Sequence, residues 1–129
     1  MSFISGWVVG QIEWIMFICG LLAATALFAF FDPKGAMLSI FEDYSEDPVT
    51  DIMVRAWGGV AGSIGLLMVW GSYYPEGRAI IVFVELVSSL VWVSIVLTRG
   101  RKLMGFRLVS TTVVDCCFIA LFAIYLLSI

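Results

Sequence analysis

"VRAWGGVAGSIG", residues 54–65, sets an arginine at the edge of a run dominated by glycine, alanine and branched apolar residues. Nothing from Ala56 to Gly71 is charged. In a helix, Gly58, Ala61, Gly62 and Gly65 share one face, and the pairs Gly58/Gly62 and Ala61/Gly65 are each small-xxx-small. That face lets a second helix backbone come close, either within the chain's own bundle or from a partner subunit, lipid or pigment ring. An apolar run of this length with a contact face of small residues is the signature of a membrane-spanning helix.

The rest of the 129-residue chain agrees. Hydrophobic residues make up 62% of it and charged residues 13%, against about 45–50% and about 25% in soluble domains. Mean hydropathy is +1.08. The pattern predicts an all-α bundle of four transmembrane helices, with spans at about 7–31, 52–73, 79–98 and 108–129, in one domain over residues 1–129. The first span has no basic n-region and too long an apolar run for a cleaved signal peptide.

The connections differ in character. "DPKGAMLSIFEDYSEDPVTD", residues 32–51, is the longest, holds six carboxylates, and offers Met37, Leu38, Ile40 and Phe41 for one short interfacial turn. "YYPEGR", residues 73–78, is a tight turn with aromatic anchors. "RGRKLMGFR", residues 99–107, is a short basic loop. Lys34, Arg99, Arg101, Lys102 and Arg107 fall on the side of the first and third loops, and only Arg78 falls on the other. The positive-inside rule therefore puts those loops in the cytoplasm or its organellar equivalent, with both termini on the outer or lumenal side. The compartments that fit are a bacterial inner membrane, a mitochondrial inner membrane or a thylakoid.

Ionisable residues inside spans are costly and mark function by default. Four stand there: Glu13, Arg55, Glu85 and Asp115. Counting depth at about 1.5 Å per residue pairs Arg55 with Asp115 on the side of the first and third loops. The same count sets Glu13 level with Glu85 on the other side. Those two carboxylates serve either a proton or ion step or structural hydrogen bonds to Gln11, Ser88, Ser89 or a neighbouring chain. Ser110, Thr111 and Thr112, with the serines, read as interhelical hydrogen-bond donors.

Several classes of chemistry have no residues to carry them. Histidine is absent, which removes the commonest metal and haem ligand and the most frequent general base. Cys19, Cys116 and Cys117 lie in apolar stretches and read as small buried hydrophobes. No phosphate loop and no Cys-x-x-Cys occurs, and no basic stripe for nucleic acid. The expectation is a protein that is not an enzyme, with no metal and no cofactor beyond contact with lipid or pigment.

"FFDP" closing the first span, "RAWGGVAGSIGLLM" opening the second, "PEGRAI" leading the third and "TRGRK" closing it resemble a family of small four-helix bacterial membrane proteins related to the DoxX group. The resemblance covers about three quarters of the chain, and the region around "VVDCC" departs from it. It implies a four-helix fold and brings no established activity. Three functions follow from the residues. The first is a non-catalytic accessory subunit, surrounded by membrane lipids and other integral membrane subunits, as in a photosynthetic or respiratory complex. The second is a small proton, ion or solute transporter using the intramembrane carboxylates. The third is a protein binding lipid, quinone or pigment.

Overall fold

The computed structural model describes residues 2–103 and 105–129; Met104 of the third loop lies outside them. Helix α1 covers Ser2–Gly10 and α2 covers Ile12–Ala24. The turn at Gln11 barely interrupts the ladder: the Gln11 amide donates to the Trp7 and Val8 carbonyls, and the Ile15 amide donates to Gln11. A 3₁₀ turn at Thr25–Leu27 leads into the short α3, Phe28–Phe31. There the Thr25 hydroxyl donates to the Leu22 carbonyl, a competition with the backbone ladder that tightens and bends helices.

Both Asp-Pro pairs start helices, because the aspartate caps the free amides and proline loses nothing at the first helical position. Asp32 accepts from the Gly35 amide at 3.1 Å and opens α4, Pro33–Phe41. The expected interfacial turn is thus a full helix of 9 residues, ended by Glu42 in the left-handed region at φ 62°. Asp47 accepts from the Thr50 amide at 3.1 Å and opens α5, Pro48–Tyr73, four residues ahead of the expected span. Gly77, at φ 77°, makes the turn into α6, Arg78–Arg99, and a 3₁₀ turn at Arg101–Leu103 precedes α7, Phe106–Ser128. Among the described residues there is no strand.

Four segments are long and apolar enough to cross a membrane: Ile12–Phe31, Pro48–Tyr73, Arg78–Arg99 and Phe106–Ser128. They close into a bundle in which α5 lies against α2 and α3, α6 packs between α5 and α7, and α1 packs against α7. The amphipathic α4 bridges α3, α5 and α7 across one end. Large apolar side chains such as Trp14, Phe31, Ile80 and Leu127 point outward. So continuous an apolar surface is what a bilayer accepts and water does not.

The α2 and α5 backbones cross in close contact. A Cβ on Gly65 would lie 2.8 Å from the Gly20 carbonyl oxygen, and one on Gly20 would lie 2.7 Å from that of Gly65. Farther along, a Cβ on Gly58 would meet Ala29 Cβ at 2.6 Å, and one on Gly62 the Leu27 amide nitrogen at 2.9 Å. Gly58, Gly62 and Gly65 thus seat the first span's backbone inside this chain's own bundle. Ala61 is half-buried and faces a cavity instead.

Candidate functional site

On α6 the buried positions are Arg78, Val82, Glu85, Ser89, Val93 and Val96, a spacing of three and four that forms one inward stripe. On α7 the buried Leu108, Thr112, Phe122 and Tyr125 form the matching stripe, and Asp115 and Phe118 fall in register on it. Two carboxylates therefore point inward from neighbouring helices. Glu85 lies about 21 Å along α6 from its Arg99 end, and Asp115 about 14 Å along α7 from Phe106. Both sit in the middle of their spans.

They line one cavity of about 470 Å³. Its walls come from the first span (Cys19 to Ala29), from Trp57 and Ala61 of α5, from Ser88 and Trp92 of α6, and from Ser110 and Thr111 of α7. Helix α4 covers the end nearer the first and third loops with Ala36, Ser39 and Ile40. At that end the Trp57 and Trp92 rings stack, with centroids 5.3 Å apart and planes at 24°, and Phe41 of α4 packs on Trp92 at 6.3 Å. Toward the termini the cavity stops at the apolar core of Val8, Ile12, Met16, Met68, Val82, Phe122 and Tyr125. Cys19 and Phe118 belong to both regions.

The polar lining is only partly satisfied. Glu85 is 8% exposed, and its Oε1 accepts from the Ser89 hydroxyl at 2.9 Å. Its second oxygen, both oxygens of Asp115, and the hydroxyls of Ser88 and Ser110 have no hydrogen-bond partner among the described residues. No lysine or arginine lines the cavity. The two acids therefore share a half-open, mostly apolar cleft with unmatched hydrogen-bonding capacity and no lysine or arginine in its lining, an arrangement that leaves room for a solute to supply both. Among the described residues, no three His, Cys, Asp or Glu side chains gather where one metal ion could be held.

The charged residues singled out by depth take other partners than that count assigns. Arg55 does not serve Asp115. Its Nε meets Asp51 at 3.0 Å, one turn earlier on the same helix, and its Nη1 donates to the Phe30 carbonyl at 2.6 Å. It ties α5 to the end of the first span, beside an open hollow that it shares with Asp32, Lys34 and Glu46. Glu13 does not sit with Glu85. Its side chain is 68% exposed and faces Arg78 at 3.9 Å, about 10 Å along α6 from Glu85. The hydroxyls also differ from the interhelical donors expected: Thr111 and Thr112 donate to carbonyls of their own helix, Arg107 and Leu108, and Ser89 serves Glu85 on its own helix. Cys19 is buried, whereas Cys116 and Cys117 face outward.

A double-mutant cycle checks the separation of Arg55 from Asp115. Arg55→Met and Asp115→Leu are expected to add to within about 0.5 kcal/mol, as sites without shared partners do. A coupling of several times that, read from unfolding in detergent, would mean the two side chains meet.

That Glu85 and Asp115 line one cavity is what depth alone misses. Its signal is the register of the inward stripes: Glu85 falls three residues from the buried Val82 and four from Ser89, and Asp115 three residues from the buried Thr112 and seven from Leu108 and Phe122. No protein-family model, curated protein or solved structure matches the chain, so the likeness to the DoxX group rests on the quoted motifs alone.

Proposed function

We propose that this chain is a small, non-catalytic solute transporter of the membrane, with its solute site in the cavity that Glu85 and Asp115 share. One observation carries the reading: two inward carboxylates, and two serine hydroxyls unpaired among the described residues, face a half-open cleft of about 470 Å³ that no lysine or arginine lines. Its volume lies within the range of about 300–1,000 Å³ usual for small-molecule sites. Acids in the middle of spans carry a desolvation cost that packing alone does not require, and such residues commonly mark ion and substrate paths. In the orientation given by the positive-inside rule, the α4-covered end faces the cytoplasm or its organellar equivalent and both termini face the outer or lumenal side. Arg107 of α7 reaches across that end to donate to the Leu38 carbonyl of α4 at 3.3 Å.

The accessory-subunit reading stands second. It draws on the outward apolar surface, and lipid alone covers such a surface equally well.

Thiol accessibility separates the two. With Cys19, Cys116 and Cys117 replaced by alanine, Ser88→Cys and Ser110→Cys are introduced singly, and Val91→Cys on the outward face of α6 serves as control. In lipid nanodiscs, a charged, water-borne methanethiosulfonate reagent is expected to modify positions 88 and 110 and to leave 91 untouched. A cavity sealed or filled by lipid would protect all three, and that result would sink the transport reading.

A further inference from the structure

The cavity's own chemistry narrows what it takes, given the reading of it as a solute site. Its charged residues are all acidic, so an anion would enter against two carboxylates with no counter-charge in the lining. In a mostly apolar cleft between membrane-spanning helices that repulsion is screened less than in open water. A neutral solute would meet the hydroxyls but would leave the acids without a positive partner. A bare inorganic cation would use the acids and leave most of the volume, and both indoles, without a role.

The indoles supply the remaining constraint. Trp57 and Trp92 stack on each other at the α4 end, and the deeper wall holds the apolar Phe118 and Val114 beside Asp115. An aromatic face attracts a cation within about 6 Å of its centre, tryptophan most strongly. It also packs against a flat hydrocarbon body. The cavity thus offers aromatic surface at one end and unpaired carboxylate oxygens deeper in, with the Ser88 and Ser110 hydroxyls among its lining.

We infer that the cavity binds small organic cations: an ammonium or amidinium-type head carried on a compact apolar or aromatic body. The head sits against Glu85 and Asp115, and the body lies against Trp57 and Trp92. The deep position of the acids selects for charge, and the indole pair selects against small hydrated ions, which cannot fill the volume or use the rings.

The test uses the full chain in nanodiscs with Trp7, Trp14 and Trp70 replaced by phenylalanine, so that fluorescence reports on Trp57 and Trp92. Three probes of similar shape are titrated: benzyltrimethylammonium, its neutral carbon isostere neopentylbenzene, and the anion phenylmethanesulfonate. Saturable quenching is expected for the ammonium alone. Glu85→Gln and Asp115→Asn are each expected to weaken it by about tenfold or more, the scale of removing one partner from a desolvated charge contact. Glu85→Asp is expected to recover part of the loss. Asp115 has no hydrogen-bond or ion-pair partner among the described residues, so Asp115→Asn keeps the test open if Glu85→Gln fails to fold. Saturable binding of the neutral or anionic probe, unchanged in Asp115→Asn, would overturn the cation assignment while leaving the cavity a solute site. Saturation by none of the three probes would also overturn it. The reading of the cavity as a solute site falls separately, if positions 88 and 110 prove unreactive to the thiol reagent.

Discussion

Gly65→Leu is expected to be the most damaging single substitution in the bundle, costing about 3 kcal/mol or more of stability. Overpacking a well-packed core typically costs about 1–3 kcal/mol because side chains and backbone can shift a little. Here the obstruction is backbone: the first carbon of any side chain at 65 would lie 2.8 Å from the Gly20 carbonyl oxygen and 2.7 Å from the Ala23 carbonyl carbon. Neither can move without parting α2 from α5, the pairing on which the first span's position depends. The bulk of leucine beyond Cβ then has no space at all. Gly59→Leu, on the same helix, supplies the control. Its nearest neighbour would be a Phe30 ring carbon at 3.8 Å, an ordinary contact, so that variant is expected to melt within a few degrees of the parent and Gly59→Ala to match or exceed it. Thermal unfolding in mild detergent, followed by helical circular dichroism, decides the matter. If Gly65→Leu melts with Gly59→Leu, the crossing is looser than the distances indicate.

The glycine face illustrates which part of the architecture could be read in advance. Spacing along one helix identifies a face, and composition identifies a span, because both are properties of a single segment. The four spans and the contact role of Gly58, Gly62 and Gly65 are of this kind. Pairing between helices is a different quantity. Counting residues from a loop gives depth but no rotation about the helix axis, and for Arg55 the rotation decides. Its guanidinium meets Asp51, one turn away on its own surface, where an i,i+4 acid is always within reach. Glu13 and Glu85 fail for the same reason. The turn at Gln11 joins two helices into one rod that begins at Ser2, so the depth of Glu13 is counted from the wrong residue, and its rotation carries it to the outer surface. Asp115 and Glu85 line one cavity from α7 and α6 because both fall on inward stripes. That inference needs two helices to be known as neighbours.

The serines and threonines carry a related lesson. A hydroxyl on a helix can always return its proton to the carbonyl one turn back, as Ser63, Thr98, Thr111, Thr112 and Ser128 all do. Composition cannot distinguish such a self-satisfied hydroxyl from a free one. Ser88 and Ser110 are set apart only by the cavity they face. The aromatic residues divide similarly: Trp14 and Trp70 point outward while Trp57 and Trp92 stack at the cavity. A helix-by-helix reading has no means of telling the two pairs apart.

Arg78→Met is the second large expected effect, and it separates two explanations of one buried arginine. Arg78 is 9% exposed at the start of α6. Its Nε donates to the Gly71 carbonyl at 2.9 Å and its Nη2 to the Ser72 carbonyl at 3.2 Å. These carbonyls lie in the last turn of α5, which ends at Tyr73, where no later amide of the helix can reach them. The guanidinium therefore finishes one helix while opening the next, and its positive charge sits at a helix C-terminus, where the macrodipole favours it. Methionine keeps the apolar stem and removes every donor. Two carbonyls away from water lose charge-assisted bonds worth about 1.5–3 kcal/mol each, and the net loss is expected near 3 kcal/mol after partial relaxation. Glu13 is the other possible reason for the arginine, and it predicts a different pattern. At 3.9 Å, with an exposed carboxylate, the ion pair is of the kind worth about 1 kcal/mol or less. Glu13→Gln is therefore expected to cost a small fraction of Arg78→Met, with Arg78→Lys in between because one ammonium serves the two carbonyls less well. Unfolding free energies of the three variants in detergent give the ranking. Equal losses for Glu13→Gln and Arg78→Met would make the ion pair, and not the carbonyls of α5, the anchor that holds α6 in register and so sets the depth at which Glu85 enters the cavity.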